Sequence, residues 1–102
     1  MNYTNKIVEG FQRIMYSIVF SKEALKSSTK IPKNYLEVIL KKIKTLAKDP
    51  YNSTLNIKML QHSRQIYRLR VGDYRVIYEI DNEKYIIHII KIGTRGGIYD
   101  SY

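Results

Sequence analysis

Two strand-like segments joined by a two-residue turn constrain this fold more than any other feature of the sequence. The runs IYRLRV at 66–71 and YRVIYEI at 74–80 flank Gly72–Asp73, a dipeptide typical of tight β-hairpin turns. A two-residue loop fixes the register of the hairpin, because the residues on either side of it face each other. The predicted pairs, which share one apolar and aromatic face, are Val71 with Tyr74, Leu69 with Val76, and Tyr67 with Tyr78.

The opposite face of the same hairpin carries three arginines. Arg70 and Arg75 lie directly opposite each other, and Arg68 follows two residues along. Like charges that face each other destabilise a sheet, so a bound anion would offset the cost. Guanidinium groups bind phosphate oxygens and can stabilise charge that develops on a scissile phosphodiester. Three interpretations stay open at this point: a solvated basic surface, a contact for an acidic protein segment, or a catalytic or RNA-binding face.

The remaining elements predict an α+β domain in the order strand, helix, helix, three strands. Alternation predicts a first strand over Tyr16–Phe20 and a last one over Tyr85–Ile92, where isoleucines at both parities indicate a strand covered on both faces. Ser21 is a candidate N-cap for a short helix over Lys22–Leu25 and a little beyond. We expect the helices to pack on one face of a mainly antiparallel four-stranded sheet, with residues 51–64 irregular. The expected anchors of that segment are Leu55, Ile57 and Leu60.

A longer helix is predicted from Pro32 to the stop signal at Asp49–Pro50. Its apolar stripe consists of Leu36, Ile39, Leu40, Ile43, Leu46 and Ala47. Its lysines lie largely off that stripe, where they form a solvated surface or, since phosphate contact requires only charge, bind an RNA backbone. These lysines are Lys41, Lys42, Lys44 and Lys48.

Residues 1–14 form an N-terminal extension to a single domain over residues 15–102. Apolar residues in and next to this extension fall at helical spacing, which predicts a short amphipathic helix. They are Ile7, Val8, Phe11, Ile14 and Met15. Met15 also directly precedes the first strand, so an alternative start of translation at Met15 stays open.

The charge balance points to a polyanionic partner, because the 102-residue chain has 18 basic against 9 acidic residues and a net charge of +9. The absence of cysteine excludes disulfides, thiolate catalysis and cysteine-based metal sites, and it fits a reducing cytosol. His88, expected in the core, and His62, expected in an exposed loop, give no metal signature. No motif indicates a cofactor, a membrane span or a signal peptide.

A glycine-rich segment, GTRGGIY at 93–99, follows the last strand. Glycines let a backbone approach a ligand closely, and Arg95 can join the arginine face from the end of the strand. Tyr99 offers a ring that stacks on a base and a hydroxyl that donates or accepts a proton. The alternative for Tyr99 is a packed C-terminal aromatic residue.

These segments resemble the RelE/ParE toxin superfamily over about residues 15–99. The runs that carry the resemblance are IYRLRVGDYRVIYEI, IIKIGTRGGIY, YSIVFSKEAL and LAKDP. The resemblance implies the compact strand–helix–helix–three-strand fold and, in its RelE branch, the toxin of a type II toxin–antitoxin system. Such a toxin is a ribosome-dependent endoribonuclease that cleaves messenger RNA in the A site. The 2′-hydroxyl attacks the adjacent phosphate, and no metal or cofactor is implied.

The resemblance assigns roles to five positions of this sequence. Arg75 and Arg95 would stabilise transition-state charge, Arg68 and Arg70 would hold the substrate phosphate, and Tyr99 would orient the nucleophile or act as base. The resemblance implies a cytoplasmic protein whose partners are a cognate RelB-like antitoxin, messenger RNA and the ribosome. The lysines of the long helix would contact ribosomal RNA. Two other functions stay open: a ParE-like inhibitor of DNA gyrase without nuclease activity, and a degenerate toxin homologue that only binds antitoxin.

Overall fold

The computed structural model describes residues 14–96 of the chain. Its strands are β1 (Ser17–Phe20), β2 (Asn56–Gln61), β3 (Ile66–Val71), β4 (Tyr74–Asp81) and β5 (Ile86–Thr94), and its helices are α1 (Lys22–Ser28) and α2 (Lys33–Lys48). The sheet order is β1-β5-β4-β3-β2, with β1 parallel to β5 and each other neighbouring pair antiparallel. The predicted α+β class is confirmed.

The prediction of four strands with an irregular segment at 51–64 is wrong, because β2 lies within that segment as a fifth strand. β2 pairs with β3 at the edge of the sheet, with Ile57 opposite Leu69. As an edge strand, β2 leaves Asn56, Lys58 and Met59 exposed to solvent. A register shift between Met59 and Gln61 also interrupts the alternation by which a strand is recognised in a sequence.

The core lies between the two helices and one face of the sheet, called the helix face below. The predicted hairpin register is confirmed at each pair, from Val71 opposite Tyr74 to Tyr67 opposite Tyr78. The buried residues of this core are Ala24, Ile39, Ile43, Leu46, Tyr67, Leu69, Val76, Tyr78, Ile80, Ile87, Ile89 and Ile92. Because side chains alternate along a strand, the hairpin arginines belong to the other side of the sheet, called the open face.

Ser21 ends β1 and begins α1 with two hydrogen bonds of one hydroxyl. Its oxygen accepts from the backbone N–H of Ala24 at 3.0 Å, which confirms the predicted N-cap. The same hydroxyl donates to the carbonyl oxygen of Ile90 at 2.7 Å. α1 is thereby fixed against β5 at its first turn.

The apolar stripe of α2 is narrower than predicted. Ile39, Ile43, Leu46 and Ala47 are buried, but Leu40 is 42% exposed, which corrects its expected place in the core. The sheet contacts α2 along one line, and Leu40 lies beside that line, on a groove between α2 and β1.

β5 lies between β1 and β4, as predicted for a strand covered on both faces. A bulge inserts one extra residue, Ile90, between the Tyr78–Ile89 and Ile77–Lys91 pairs, so Ile92 joins Ile87 and Ile89 in the core although its parity differs from theirs. Ile90 packs with Leu60 against Ile66 and Ile77 in a second, smaller apolar cluster on the open face.

No helix within residues 14–96 is long and apolar enough to cross a membrane. The predicted N-terminal helix lies outside the described residues, apart from Ile14 and Met15, which precede β1 and are not helical.

Candidate nucleic-acid interface

The open face carries two neighbouring rows of polar and basic residues near the β3–β4 turn. The first row, paired strand to strand, is Asn56, Arg70, Arg75 and Gly93. The second row is Lys58, Arg68, Ile77 and Lys91. The cations of these rows, called the basic face below, are Lys58, Arg68, Arg70, Arg75 and Lys91.

Arg75 is held by the turn of its own hairpin. One guanidinium nitrogen donates to the carbonyl oxygens of Gly72, at 2.8 Å, and Tyr74, at 3.1 Å. Gly72 has a φ of 58°, a left-handed conformation that the turn requires and that glycine adopts without strain. The side chain of Arg75 is only 6% exposed, so this guanidinium is both buried and oriented. Its place in the site therefore follows from the turn sequence.

Arg68 is oriented by the edge strand β2. Its terminal nitrogen donates to the side-chain oxygen of Asn56 at 2.5 Å. Its Nε is buried and has no hydrogen-bond partner among the described residues. Arg70, in contrast, is exposed and lies directly across from Arg75. The three predicted arginines are thus brought together, with Arg70 the most accessible to a ligand.

The positive charge of the basic face is largely uncompensated. The ion pairs found within residues 14–96 are Arg64–Glu79, at 3.9 Å, and Lys91–Glu23, at 3.8 Å. No carboxylate of that part of the chain lies within 4.0 Å of a nitrogen of Lys58, Arg68, Arg70 or Arg75. Arg70 faces Arg75, and Lys58 faces Arg68, so like charges repel each other across the strands and a bound anion would offset that repulsion.

This arrangement suits a phosphate diester. Arginine keeps its charge near neutral pH and presents two parallel donors to phosphate oxygens. Donors that are fixed before the ligand arrives stabilise developing negative charge without a cost for reorganisation. Arg68 and Arg75 are fixed in this way by Asn56 and by the hairpin turn.

The other predicted site residues lie in different places. Arg95 is exposed and follows β5 directly, two residues beyond Gly93 in the row of Arg75. Tyr99 lies outside the described residues. The α2 lysines are exposed on the helix layer, across the sheet from the basic face; they are Lys41, Lys42, Lys44 and Lys48. His88, expected in the core, lies half-buried on the open face opposite Glu79, and His62 is exposed in the β2–β3 turn as predicted.

Sequence reasoning missed two cations of the basic face, Lys58 and Lys91. Lys58 lies on the strand that was not predicted, and only its pairing with Arg68 reveals its position. Lys91 faces Ile77 because of the bulge at Ile90, which no feature of the isoleucine-rich run announces. The alternation of apolar Ile57 and Met59 with polar Lys58 could have indicated a strand at this position.

A family model described as the ParE toxin of type II toxin–antitoxin systems, parDE, matches residues 18–99. The chain belongs to the RelE/ParE toxin superfamily. Among the relatives of this RelE/ParE toxin is a protein of Methanocaldococcus jannaschii that carries the name RelE1 toxin. It is 33% identical over 85 residues, which cover 82% of this chain and 94% of that protein.

Solved structures of RelE proteins share the fold. The RelE–RelB complex of Pyrococcus horikoshii matches with a TM-score of 0.73 and 28% identity over 81% of this chain and 98% of that chain. The RelB–RelE complex of Methanococcus jannaschii matches with a TM-score of 0.66 and 26% identity over 82% of this chain and 98% of that chain. The resemblance to this superfamily and the α+β fold class that it implied are therefore confirmed, with β2 as a strand beyond the implied four.

Proposed function

We propose that this RelE/ParE toxin is a ribosome-dependent endoribonuclease that cleaves messenger RNA in the ribosomal A site. The observation that carries the proposal is the basic face, where five cations stand on the open side of the sheet and four of them have no carboxylate partner within residues 14–96. A polyanion offsets the repulsion within such a surface. The RelE names of the relatives support the nuclease branch.

The proposed reaction uses the RNA's own nucleophile. The 2′ oxygen attacks the adjacent phosphorus, and the bond from phosphorus to the 5′ oxygen breaks. One fragment then ends in a 2′,3′-cyclic phosphate and the other begins with a 5′-hydroxyl. A base accepts the proton of the 2′-hydroxyl, and the departing 5′ oxygen takes up a proton. Guanidinium groups supply the positive charge that the pentacovalent transition state needs, so the reaction is metal-independent.

In this mechanism Arg75 and Arg95 stabilise the transition state, while Arg68 and Arg70 hold the phosphate in place. Tyr99 orients the 2′-hydroxyl or accepts its proton. The pKa of arginine is too high for it to act as a general acid, so Lys58, which lies opposite Arg68, is the candidate proton donor to the leaving oxygen.

The same surface explains the partners that we propose. A cognate RelB-like antitoxin would neutralise the toxin, since similar folds occur in RelE–RelB complexes of other organisms. The ribosome and messenger RNA would be the cytoplasmic targets, with the α2 lysines as further contacts to ribosomal RNA across the sheet from the substrate.

The decisive experiment maps message ends by primer extension after brief induction in a bacterial host. Wild type is compared with Arg70→Ala, with Tyr99→Phe, and with Arg64→Ala as a matched control. Arg64 is an exposed arginine that pairs with Glu79 outside the basic rows. Cuts inside translated codons should appear with wild type and Arg64→Ala and should be lost or much reduced in the other two variants.

The description of the matching family as ParE supports a second candidate, inhibition of DNA gyrase. Growth arrest with intact messages and blocked supercoiling by purified gyrase would overturn the nuclease proposal in favour of this one. Expression without any growth defect would instead indicate a degenerate homologue that binds only antitoxin.

A further inference from the structure

An apolar groove of about 800 Å³ lies on the helix side of the molecule, between β1 and α2. Its floor is formed by Ile18, Phe20, Ile43 and Ala47. Its edges include three large apolar side chains that are exposed: Met15 at 56%, Val38 at 46% and Leu40 at 42%. Leu40 completes the apolar stripe of α2 in the sequence, so the groove is the part of that stripe that the sheet leaves uncovered. A contiguous apolar surface of this kind marks an interaction site.

The chain enters this groove from its own N-terminal side. Met15 lines the groove, and the backbone N–H of Tyr16 donates to the carbonyl oxygen of Ala47 at 2.9 Å, which fixes the entry point beside the last turn of α2. Residues 1–13 therefore connect to the groove through Ile14, which is itself 44% exposed.

We propose that residues 1–13 dock as an amphipathic helix in the groove between β1 and α2. Ile7, Val8 and Phe11 fall at helical spacing within this segment, and Met15, just beyond it, lines the groove. The segment and the groove agree in length, since thirteen helical residues span about 20 Å and the α2 wall from Asn34 to Ala47 spans about 20 Å.

The entry point also fixes the direction of the docked helix. Because Tyr16 is bound to Ala47, the C-terminal end of the docked helix lies beside Ala47 and its N-terminal end lies toward Asn34, so the helix is parallel to α2 in chain direction. Gly10 lowers the helix propensity of the isolated segment, so the helix depends on docking for its stability.

Residues 1–13 lie outside the part of the chain that matches the toxin family. The family match begins at residue 18, after the segment, and the RelE1 toxin of M. jannaschii is matched over 94% of its own length while 82% of this chain is used. The docked segment of residues 1–13 would thus be an addition to the toxin fold that this chain shares with its relatives.

The test uses the full chain, which contains no tryptophan, with the single substitution Phe11→Trp. Docking predicts an emission spectrum shifted to the blue of the urea-unfolded protein and a lower acrylamide quenching constant. Adding Leu40→Glu should abolish both effects, because it places a charge in the groove. Adding Leu25→Glu is the matched control, since Leu25 is an exposed helical leucine, at 54%, away from the groove lining.

Circular dichroism establishes that each variant is folded. If the Leu40→Glu variant is not folded, the comparison is repeated with Val38→Glu and with Val19→Glu as its control. The two valines are equally exposed, at 46% for Val38 and 45% for Val19. An exposed tryptophan in the folded Phe11→Trp protein overturns the proposal. So does burial that depends on protein concentration and coincides with a dimer by light scattering, because the groove would then bind a second copy.

Discussion

Arg70 and Arg75 face each other across one hairpin but have different surroundings. Arg75 is buried and donates two hydrogen bonds to backbone oxygens, whereas Arg70 is exposed and makes no ion pair within the described residues. The guanidinium of Arg75 is thus held in one position by the turn, whereas the guanidinium of Arg70 can move.

This difference predicts separable effects of the two alanine substitutions. Arg75→Ala should lower the free energy of unfolding by about 1–3 kcal/mol, because the carbonyl oxygens of Gly72 and Tyr74 lose their donor. Arg70→Ala should leave stability unchanged or slightly higher, since it removes a like-charge pair, yet it should weaken RNA binding. Urea denaturation followed by circular dichroism measures the first effect. Equal destabilisation by both substitutions would contradict the distinction.

Tyr78 is a second residue whose surroundings make a prediction. Its hydroxyl is buried without a partner among the described residues, and burial raises its pKa far above the ordinary 10.0. The pKa of Tyr78 is higher in the folded protein than in the unfolded chain, so the unfolded chain loses its proton first as the pH rises above 10.0. The free energy of unfolding is therefore unaffected by Tyr78 below pH 10.0 and falls as the pH rises toward the folded-state pKa.

Tyr78→Phe should therefore stabilise the protein at neutral pH by about 1 kcal/mol, since it removes an unmatched buried hydroxyl. It should also move alkaline unfolding to higher pH. The measurement is a set of urea titrations between pH 7 and pH 11, with Tyr35→Phe as the exposed control. A loss of stability at neutral pH would mean that the hydroxyl has a partner.

At the scale of elements, the hairpin and β2 show what a sequence can and cannot predict. The β3–β4 register was predictable because a two-residue turn leaves one pairing, and the arginine face followed from it. β2 was not predictable from its own composition, because its stability comes from pairing with β3 rather than from an apolar stripe. Lys58 was missed for that reason, and Leu40 was misplaced because helical periodicity does not show how far the sheet extends.

β2 also yields a prediction in which stability and function change in opposite directions. Lys58→Glu places a carboxylate opposite Arg68, which should stabilise the sheet by about 0.2–1 kcal/mol. The same substitution neutralises part of the basic face and should reduce RNA binding and cleavage. Lys42→Glu reverses the charge of an exposed lysine in the middle of α2, on the other side of the sheet, and serves as the control. Thermal unfolding and an RNA-binding titration on the same samples decide the matter.

At the scale of the whole molecule, the net charge of +9 is divided between the two sides of the sheet. The basic face occupies the open side, and the α2 lysines occupy the helix side near the groove. If a single-stranded RNA binds only to the basic face, the salt dependence of its binding should depend only on the charges of that face.

The salt dependence of RNA binding tests this division. With five phosphate contacts, log K should fall with log salt concentration with a slope of about −3.5. Arg70→Ala should reduce the slope to about −2.8, whereas Arg64→Ala should leave it unchanged. Fluorescence anisotropy of a labelled oligonucleotide at several KCl concentrations measures these slopes. A much steeper slope would mean that the α2 lysines bind the same RNA.

The parallel pairing of β1 with β5 joins segments from opposite ends of the described chain, with Ser17 opposite Ile86. The ribosome makes β1 before the other strands, yet its partner is the last strand to be synthesised, and contacts so distant in sequence form late. β5 also supplies Lys91 and Gly93 to the two basic rows. A translation product that stops before β5 therefore lacks both a partner for its first strand and one edge of the basic face. Under the proposed function, such a fragment would not act on the ribosome that produced it.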